Sequence, residues 1–179
     1  MACNISTGIG RPDCPGETPG AYDTFYLFNR GQVASFTAGT GNIVSDIVFT
    51  GGAGYYQVVA KKSSVVGRSE LQDNDNAAAD FTHEVDFHLA DLSPEARDFV
   101  DSLNGANLGV IVRTKGDRFL LFGYTEGLEM RVNNMTTESD GLGYFTTLRG
   151  TEVNEPPRIF FDTDATTTLG NITPNIVGS

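Results

Sequence analysis

Side chains that could carry out catalysis are few in this sequence. His83 and His88 lie close to Glu84 and Asp86 in the run FTHEVDFHL, and histidines beside carboxylates can exchange protons near neutral pH. The run alternates apolar and polar residues, which predicts a strand with His83 on the apolar face and His88 on the wet face. A histidine on an apolar face is usually structural, and one on a charged face is usually a surface residue. The chain also has no Gly-x-Ser-x-Gly, Walker or His-Glu-x-x-His motif, so the sequence predicts no catalytic residue and no enzyme.

Metal ligands are also sparse. Asp73, Asp75 and Asp80 in DNDNAAAD give only a faint indication of a calcium loop. Counted from Asp73, the twelfth position holds Glu84, as such a loop requires, but the sixth holds Ala78 in place of glycine. The sequence therefore predicts no metal site and no cofactor.

Residues 1–20 are predicted to form an irregular N-terminal arm. Glycine and proline recur in them too densely for a regular element of any length. The two cysteines of the chain, Cys3 and Cys14, both lie in this arm. They could form a disulfide that pins the arm, or stay as free thiols in a reducing compartment, and without a nearby histidine they supply only half of a zinc shell.

Composition and charge narrow the function classes. The 179 residues fit one domain, and runs of threonine, valine and aromatic residues punctuated by 21 glycines favour a mostly-β fold. The formal net charge is −11, and no cluster of basic residues exceeds the pair Lys61-Lys62. A groove that grips nucleic-acid phosphates is not expected, because such binding depends on clustered cations. The acidity serves solubility alone, a surface that repels a polyanion, or a surface adapted to salty surroundings.

A membrane partner is not expected either. No apolar run approaches the ~20 residues that a membrane-spanning helix needs. The first residues carry no basic segment followed by an apolar one, so no secretory signal is predicted.

The most strongly signalled element is a helix over 93–104. Ser93 suits its N-cap, Pro94 its first helical position, and Asn104-Gly105 its end. Turn residues then separate two strands of a hairpin, over 108–113 and 118–124. Further strands are predicted over 22–30, 32–37, 43–49, 55–61, 81–89, 128–132, 143–149 and 158–161, of which 43–49 and 55–61 are expected to form a second hairpin. The predicted fold is a single mostly-β domain over 21–161, an antiparallel β-sandwich or open barrel with one flanking α-helix.

Two segments lack a convincing regular element. Residues 62–80 are almost wholly polar, and a loop of this length in a compact domain is usually functional or disordered. We interpret it as an intersubunit or mobile loop. The candidate intersubunit residues in it are Arg68, Glu70, Asp73 and Asp75. Residues 162–179 are rich in threonine and asparagine and are predicted to form an extended or disordered tail unless a neighbour holds them.

One long stretch of the chain resembles a known class of proteins. The run LSPEARDFVDSLNGANLGVIVRTKGDRFLLFGYTEGLEMR, followed by DGLGYFTTLRGTEVNEPPRI, resembles small structural proteins of tailed phages, most of all the tail tube proteins. The likeness covers roughly two thirds of the chain, and its motifs are structural. It implies a β-sandwich or barrel of about this size with one flanking helix. It also implies hexameric rings of identical subunits whose strands join into a continuous inner barrel, with long loops that reach adjacent rings.

The resemblance also implies partners and a location. The partners would be other copies of the chain and other tail proteins, in a virion whose parts are made in the host cytoplasm. DNA would pass through the ring without specific binding, because an acidic lumen has no cations to hold phosphates. The candidate lumen-facing residues are Glu84 and Asp86, on the wet face of the predicted strand.

Two other kinds of function remain open from the sequence. A head–tail connector, a tail terminator or a capsid decoration protein has the same size and fold class. A non-viral β-sandwich binding module would instead be a monomer with a concave aromatic pocket, built from Tyr55, Tyr56 or Tyr144.

Overall fold

The computed structural model describes residues 20–39, 41–72, 80–138, 141–153 and 155–177. These ranges contain eleven strands in two sheets and two short α-helices, which confirms the predicted mostly-β sandwich with a flanking helix. Of the arm predicted over 1–20, residues 1–19 lie outside the described residues. The elements are β1 (Ala21–Asn29), β2 (Val33–Ala38), β3 (Ile43–Phe49), β4 (Tyr56–Val59), β5 (Val66–Gln72), β6 (Asp80–Leu89), α1 (Pro94–Leu103), β7 (Leu108–Thr114), β8 (Phe119–Phe122), β9 (Glu129–Thr136), β10 (Gly143–Val153), β11 (Arg158–Phe160) and α2 (Ala165–Ile172).

The larger sheet has seven strands in the order β2-β3-β11-β8-β7-β1-β4. Its pairs are antiparallel except β3 with β11, which are parallel. The sheet curls, because Phe36 of β2 and Phe49 of β3 contact Phe28 of β1, near the other end of the strand order. The curl encloses an apolar core that also takes in Tyr55.

The smaller sheet has four strands in the order β5-β6-β10-β9, all antiparallel. Its inner face supplies Val85 and Phe87 from β6 and Leu148 from β10 to a second apolar core, which it shares with the larger sheet. Helix α1 closes that core with the buried side chains of Val100 and Leu103. Strand β1 serves both cores, since alternate side chains of a strand point to opposite faces.

Helix α1 forms where its terminal signals predict it. The Ser93 hydroxyl accepts a hydrogen bond from the Ala96 N–H at 3.2 Å, which satisfies one of the free donors of the first turn. Pro94 occupies the first helical position. Beyond the end of the helix, Gly105 takes a positive φ of 74°, a conformation that glycine adopts without a side-chain clash.

The predicted hairpin of strands 43–49 and 55–61 is wrong. Strand β3 pairs with β2 and β11, whereas β4 pairs with β1. The chain is diverted at Tyr55, which is fully buried in the core under the curled sheet. The Tyr55 N–H donates to the Asn175 carbonyl at 2.8 Å and its own carbonyl accepts from the Val177 N–H, so the C-terminal segment fixes this turning point.

The loop predicted over 62–80 and the tail predicted over 162–179 also need correction. Strand β5 occupies part of the first segment and pairs with β6 in unbroken register; residues 73–79 lie outside the described part of the chain. In the second segment the chain forms α2, whose first turn is capped by Asp164 accepting from the Thr167 N–H at 2.7 Å. Thr168 and Ile172 of α2 are buried, so packing rather than local propensity holds this short helix.

Candidate functional site

The four-stranded sheet is open on both sides. Among the described strands, β5 pairs only with β6 and β9 pairs only with β10. Every residue of β5 is exposed, and β9 exposes Val132 by 43% and Met135 by 57%. Exposed edge strands present unpaired backbone N–H and C=O groups to which another chain can add. These two edges are the most accessible pairing surfaces of the described fold.

The edges of the seven-stranded sheet are less accessible. Strand β2 pairs with β3 through two register irregularities, against one between β9 and β10, and such irregularities disturb the flat geometry that an added strand needs. Strand β4 is only four residues long, and hydrogen bonds flank it at both ends. On one side Tyr55 bonds to the C-terminal segment, and on the other the Lys61 N–H donates to the His88 carbonyl at 2.7 Å.

The two open edges of the four-stranded sheet run in opposite directions. Each neighbouring pair of strands in the order β5-β6-β10-β9 is antiparallel, so three reversals separate β5 from β9. The β5 edge of one copy can therefore meet the β9 edge of the next in an antiparallel pair, and the sheet can continue from copy to copy with one pattern of hydrogen bonds.

The outer face of the four-stranded sheet carries a row of alternating charges. Register places Arg68 of β5, Glu84 of β6, Arg149 of β10 and Glu129 of β9 side by side across all four strands. Opposite charges on directly opposed residues stabilise a sheet, each pair by ~0.2–1 kcal/mol. The row runs from one open edge to the other.

The predicted lumen-facing residues Glu84 and Asp86 lie together on this face. The Arg68 Nη1 atom is 2.9 Å from the Glu84 Oε1 atom and 2.9 Å from the Asp86 Oδ2 atom. The Thr147 hydroxyl donates to the other Asp86 oxygen at 2.6 Å. The alternation in the sequence predicted that the two carboxylates share one face. It did not predict Arg68 as their partner, because Arg68 was expected to lie in a loop.

The other predicted intersubunit residues are divided by the structure. Glu70 lies on β5, two residues after Arg68 and on the same outer face. Asp73 and Asp75 lie outside the described residues, so the calcium loop considered for them and Asp80 is not described either. Within the described ranges, no group of three or more histidine, cysteine, aspartate or glutamate side chains could hold a metal ion.

His88 lies on the predicted face but is buried, with 3% of its surface exposed, so its assignment as a surface residue is wrong. Its ring stacks on Phe145, with 3.9 Å between centroids and 15° between planes. Its Nε2 atom is 2.9 Å from the Leu142 carbonyl oxygen. Phe145 is its cross-strand neighbour on β10, and a large aromatic residue there covers the imidazole.

A pocket of about 500 Å³ opens beside this stacked pair, at the end of the outer face where β6 finishes. Lys61 and Lys62, the one pair of adjacent basic residues in the sequence, lie on its rim and are exposed. We call it the lysine pocket. Its remaining lining residues are Ser64, Asp86, Phe87, His88, Val132, Asn134, Phe145, Thr146 and Thr147.

Two buried ionisable groups lie at the opposite end of the sandwich. Glu152 of β10 is fully buried, and its carboxylate accepts the N–H groups of Thr125 and Glu126 at 3.0 and 3.1 Å. Burial raises the pKa of Glu152, and these backbone donors partly offset that effect. The Glu152 carboxylate thus links β10 to the turn that follows β8.

His83 is the second buried group, as its place on the apolar face predicted. It is 1% exposed and its ring meets Phe122 edge-on at 5.7 Å. Neither ring nitrogen has a hydrogen-bond partner within the described part of the chain. Burial lowers the pKa of His83, and the nearby backbone and carboxylate of Glu155 offset this in part.

His83 should make the fold sensitive to mild acid. A base whose pKa is lowered by folding binds fewer protons in the folded chain than in the unfolded chain, so the free energy of unfolding falls as the pH drops below ~6.5. Glu152 acts in the opposite sense at lower pH, because its raised pKa makes the folded chain take up the proton first. Urea unfolding from pH 7.5 to 5.5 should show a loss of up to ~1.4 kcal/mol per pH unit.

The substitution His83→Leu should flatten this slope. Val85→Ala is the matched control, because it weakens the same strand without removing a titrating group. A slope that persists in His83→Leu would assign the acid sensitivity to another residue.

The tyrosines of the alternative aromatic pocket do not come together. Tyr55 is fully buried under the curled sheet, Tyr56 is 37% exposed on β4, and Tyr144 packs partly buried against the core between the sheets. No helix among the described residues is long and apolar enough to cross a membrane.

The chain was compared with protein-family models, curated proteins and solved structures. No protein-family model, no curated protein and no solved structure matches the chain.

Proposed function

We propose that the chain is a virion structural protein whose copies join edge to edge into rings, and that these rings stack as the tail tube of a phage. The observation that carries the proposal is the four-stranded sheet, whose two edge strands have no further partner among the described residues and which exposes a polar face opposite its apolar one. The pairing of β5 with β9 of the next copy would be heterologous, and such contacts generate rings when the rotation closes.

The dimensions fit a conduit. Six copies would contribute 24 strands from their four-stranded sheets. At ~4.8 Å between neighbouring strands, the wall would be about 115 Å around and about 37 Å across between backbones, before strand tilt widens it. Such a wall leaves room for a DNA duplex between the side chains of opposite subunits. The apolar cores lie on the other face of the sheet and support the wall from outside.

The outer face of the sheet would then line the lumen. Acidic residues outnumber arginines on its strands, with Glu70, Asp80, Glu84, Asp86 and Glu129 against Arg68, Arg149 and Arg131, the ion-pair partner of Glu129. Because Arg68 pairs with two of the carboxylates, the wall would be mildly acidic instead of densely charged. The adjacent lysines Lys61 and Lys62 lie only at one end of this face, and a wall with few clustered cations lets phosphates pass without holding them. The partners of the protein would be its own copies and other tail proteins.

Negative-stain electron microscopy with sedimentation velocity tests the proposal. We expect rings with a central hole, and for six copies of the 19.2 kDa chain a species near 115 kDa (6 × 19.2). Single-particle images should show stacks of these rings at higher concentration. A protein that stays monomeric at every concentration, also in the presence of a tail initiator complex, would contradict the proposal. Closed rings that never stack would favour the connector or terminator role.

A further inference from the structure

Strand β4 leaves backbone hydrogen-bonding groups unpaired at the edge of the seven-stranded sheet. The Ala60 N–H donates to the Asp23 carbonyl of β1 at 2.8 Å, in register with the β1–β4 pairs. Because successive residues of an antiparallel strand direct their backbone groups to opposite sides, Val58 also bonds towards β1, whereas Gln57 and Val59 direct theirs outward. The N–H and C=O groups of Gln57 and Val59 have no backbone partner among the described residues.

Other segments occupy this edge on either side of the two residues. Tyr55 bonds to the C-terminal segment, and Lys61 bonds to the His88 carbonyl. Gln57 and Val59 lie between them and are exposed, Val59 by 64%. An edge this short cannot continue a sheet from copy to copy, but it leaves a window for a short extended segment.

A groove runs along this window, between β4 and α1. One part, of about 420 Å³, is lined by β4 and the first turns of the helix. A second part, of about 250 Å³, is lined by Tyr56 and by Leu103 at the end of the helix. Phe99 lines both parts, so they form one surface, which we call the β4–α1 groove. Its two walls run in opposite directions, and Glu95 therefore lies near the Ala60 end.

The window favours an incoming strand that runs antiparallel to β4. The pairs opposite Gln57 and Val59 are then the hydrogen-bonded ones, so roughly three residues of the segment engage all the free groups. A parallel strand needs roughly five residues for the same bonds. Its ends would meet the segments that already bond to Tyr55 and Lys61.

The side chain between the two bonded residues of such a segment would point into the groove. It would lie beside Val58, on the face of β4 that packs against the core, and within reach of Ala96 and Phe99 of the helix. Ala96 and Phe99 are only half-buried, so an aliphatic side chain would cover apolar surface there. A β-branched residue such as isoleucine also suits the extended conformation.

Charge at the Ala60 end selects a second side chain of the segment. The residue two positions before the aliphatic one would lie beside Ala60 and near Glu95. The Glu95 carboxylate is exposed and has no hydrogen bond or ion pair within the described part of the chain. Asp91 on the same rim accepts from the N–H and the hydroxyl of Ser93, and Lys61 has an interaction of its own. A basic side chain on the segment would therefore pair with Glu95.

We propose that the β4–α1 groove binds an extended segment of another protein by strand addition, and that this segment carries an aliphatic residue two positions after a basic one. Main-chain bonds supply affinity in this mode of recognition, and the alternate side chains supply specificity. The net charge of −11 disfavours other copies of this chain as the source of a basic segment. The groove lies apart from the β5 and β9 edges, so the site does not depend on ring assembly.

A short peptide tests the proposal. The probe is Thr-Lys-Thr-Ile-Thr, labelled with fluorescein at its N-terminus and amidated at its C-terminus. We expect saturable binding to the full chain in fluorescence anisotropy. Replacing the isoleucine by serine should weaken binding about tenfold, and replacing the lysine by glutamate about threefold. Absence of saturable binding up to about 0.5 mM protein would overturn the proposal.

Methylation of the peptide backbone distinguishes strand addition from other contacts. The N–H of the central threonine would donate to the Val59 carbonyl, so N-methylation there should weaken binding about tenfold. The N–H of the isoleucine would point away from β4, and its N-methylation is the matched control that should leave binding within about twofold. Equal losses from both methylations would contradict strand addition.

A charge change on the helix tests the basic position. Glu95→Lys should weaken binding of the probe about threefold and strengthen binding of the peptide that carries glutamate in place of lysine. Asp98→Lys is the matched control, because Asp98 is exposed on the same helix but lines neither part of the groove. An equal effect of the two variants would show that long-range charge, and not a contact with Glu95, attracts the peptide.

Two other occupants would be recognised in the same assay. If the affinity for the probe falls as the protein concentration rises, a second copy fills the groove. If Ile5→Asp with Ile9→Asp, at the two branched aliphatic residues before β1, raises the affinity about tenfold, the N-terminal residues of the chain fill it. Either result would overturn the assignment to another protein. Sedimentation velocity on the same samples reports ring assembly separately, so a failure of the groove is distinguished from a failure of the proposed function.

Discussion

Placing lysine at both Val132 and Met135 should abolish ring assembly and leave the subunit folded. The two side chains are exposed on the open edge strand β9, so the change costs little in the isolated chain. Lysines on an edge strand oppose the addition of another strand, because pairing would bury or crowd their charges. We expect the ring population to fall by more than tenfold in sedimentation velocity, with the thermal unfolding midpoint within about 2 °C of the unmodified protein.

Lysines on interior strands provide the control for this result. Val48 of β3 and Ile159 of β11 are exposed by 44% and 40%, but both strands already have partners on each side. Val48→Lys with Ile159→Lys adds the same charge without touching an open edge, so rings should form normally. Rings that persist in the β9 variant would place the subunit contact elsewhere and remove the main support for the tube.

Gly109→Ala should strongly destabilise the fold. Gly109 of β7 lies directly opposite Phe28 of β1, and a methyl group on Gly109 would overlap the Phe28 ring. That ring cannot withdraw, because Phe49 and Tyr55 meet it edge-on with centroids at 5.9 and 6.1 Å. Overpacking of this kind costs ~3 kcal/mol, which for a chain of this size lowers the unfolding midpoint by ~6–12 °C.

Thermal unfolding followed by circular dichroism measures this loss. Gly51→Ala is the control, since a methyl group there would meet no atom within 4 Å. Equal midpoints for the two alanine variants would show that the aromatic cluster around Phe28 is looser than its ring contacts indicate.

The parts of the fold that could be predicted are those whose signals are local. Helix α1 carries its own cap at Ser93 and its own terminating glycine, so no distant residue is needed to recognise it. The β7–β8 hairpin is also local, with Asp117 in the turn at a φ of 59°. The local signals of helix α2 are weaker. Its short threonine-rich sequence is stabilised by burial of Ile172 in a core built from distant strands.

In the candidate site, too, the features with local sequence signals could be predicted and those that depend on distant residues could not. Alternation along one strand was enough to place Glu84 and Asp86 on one face, since that pattern has a period of two. Strand β5 gave no such pattern, because an edge strand exposed along its whole length has no buried side chains to alternate. Arg68 could then be matched to the two carboxylates only with the register of β5 on β6. The lysine pocket needs residues from four separate segments, which no single stretch of sequence reveals.

The place of β11 in the larger sheet has a consequence for biosynthesis. Although it is the last strand in the sequence, it lies inside the sheet, hydrogen-bonded to β3 on one side and β8 on the other. Until the ribosome has released residues 158–160, the segments of β3 and β8 have no central partner between them. From the synthesis of β8 until that of β11, the nascent chain therefore holds two unfinished sheet edges, and such edges attract other chains. A product truncated before residues 158–160 would keep both edges open and would be directed to aggregation and not to assembly.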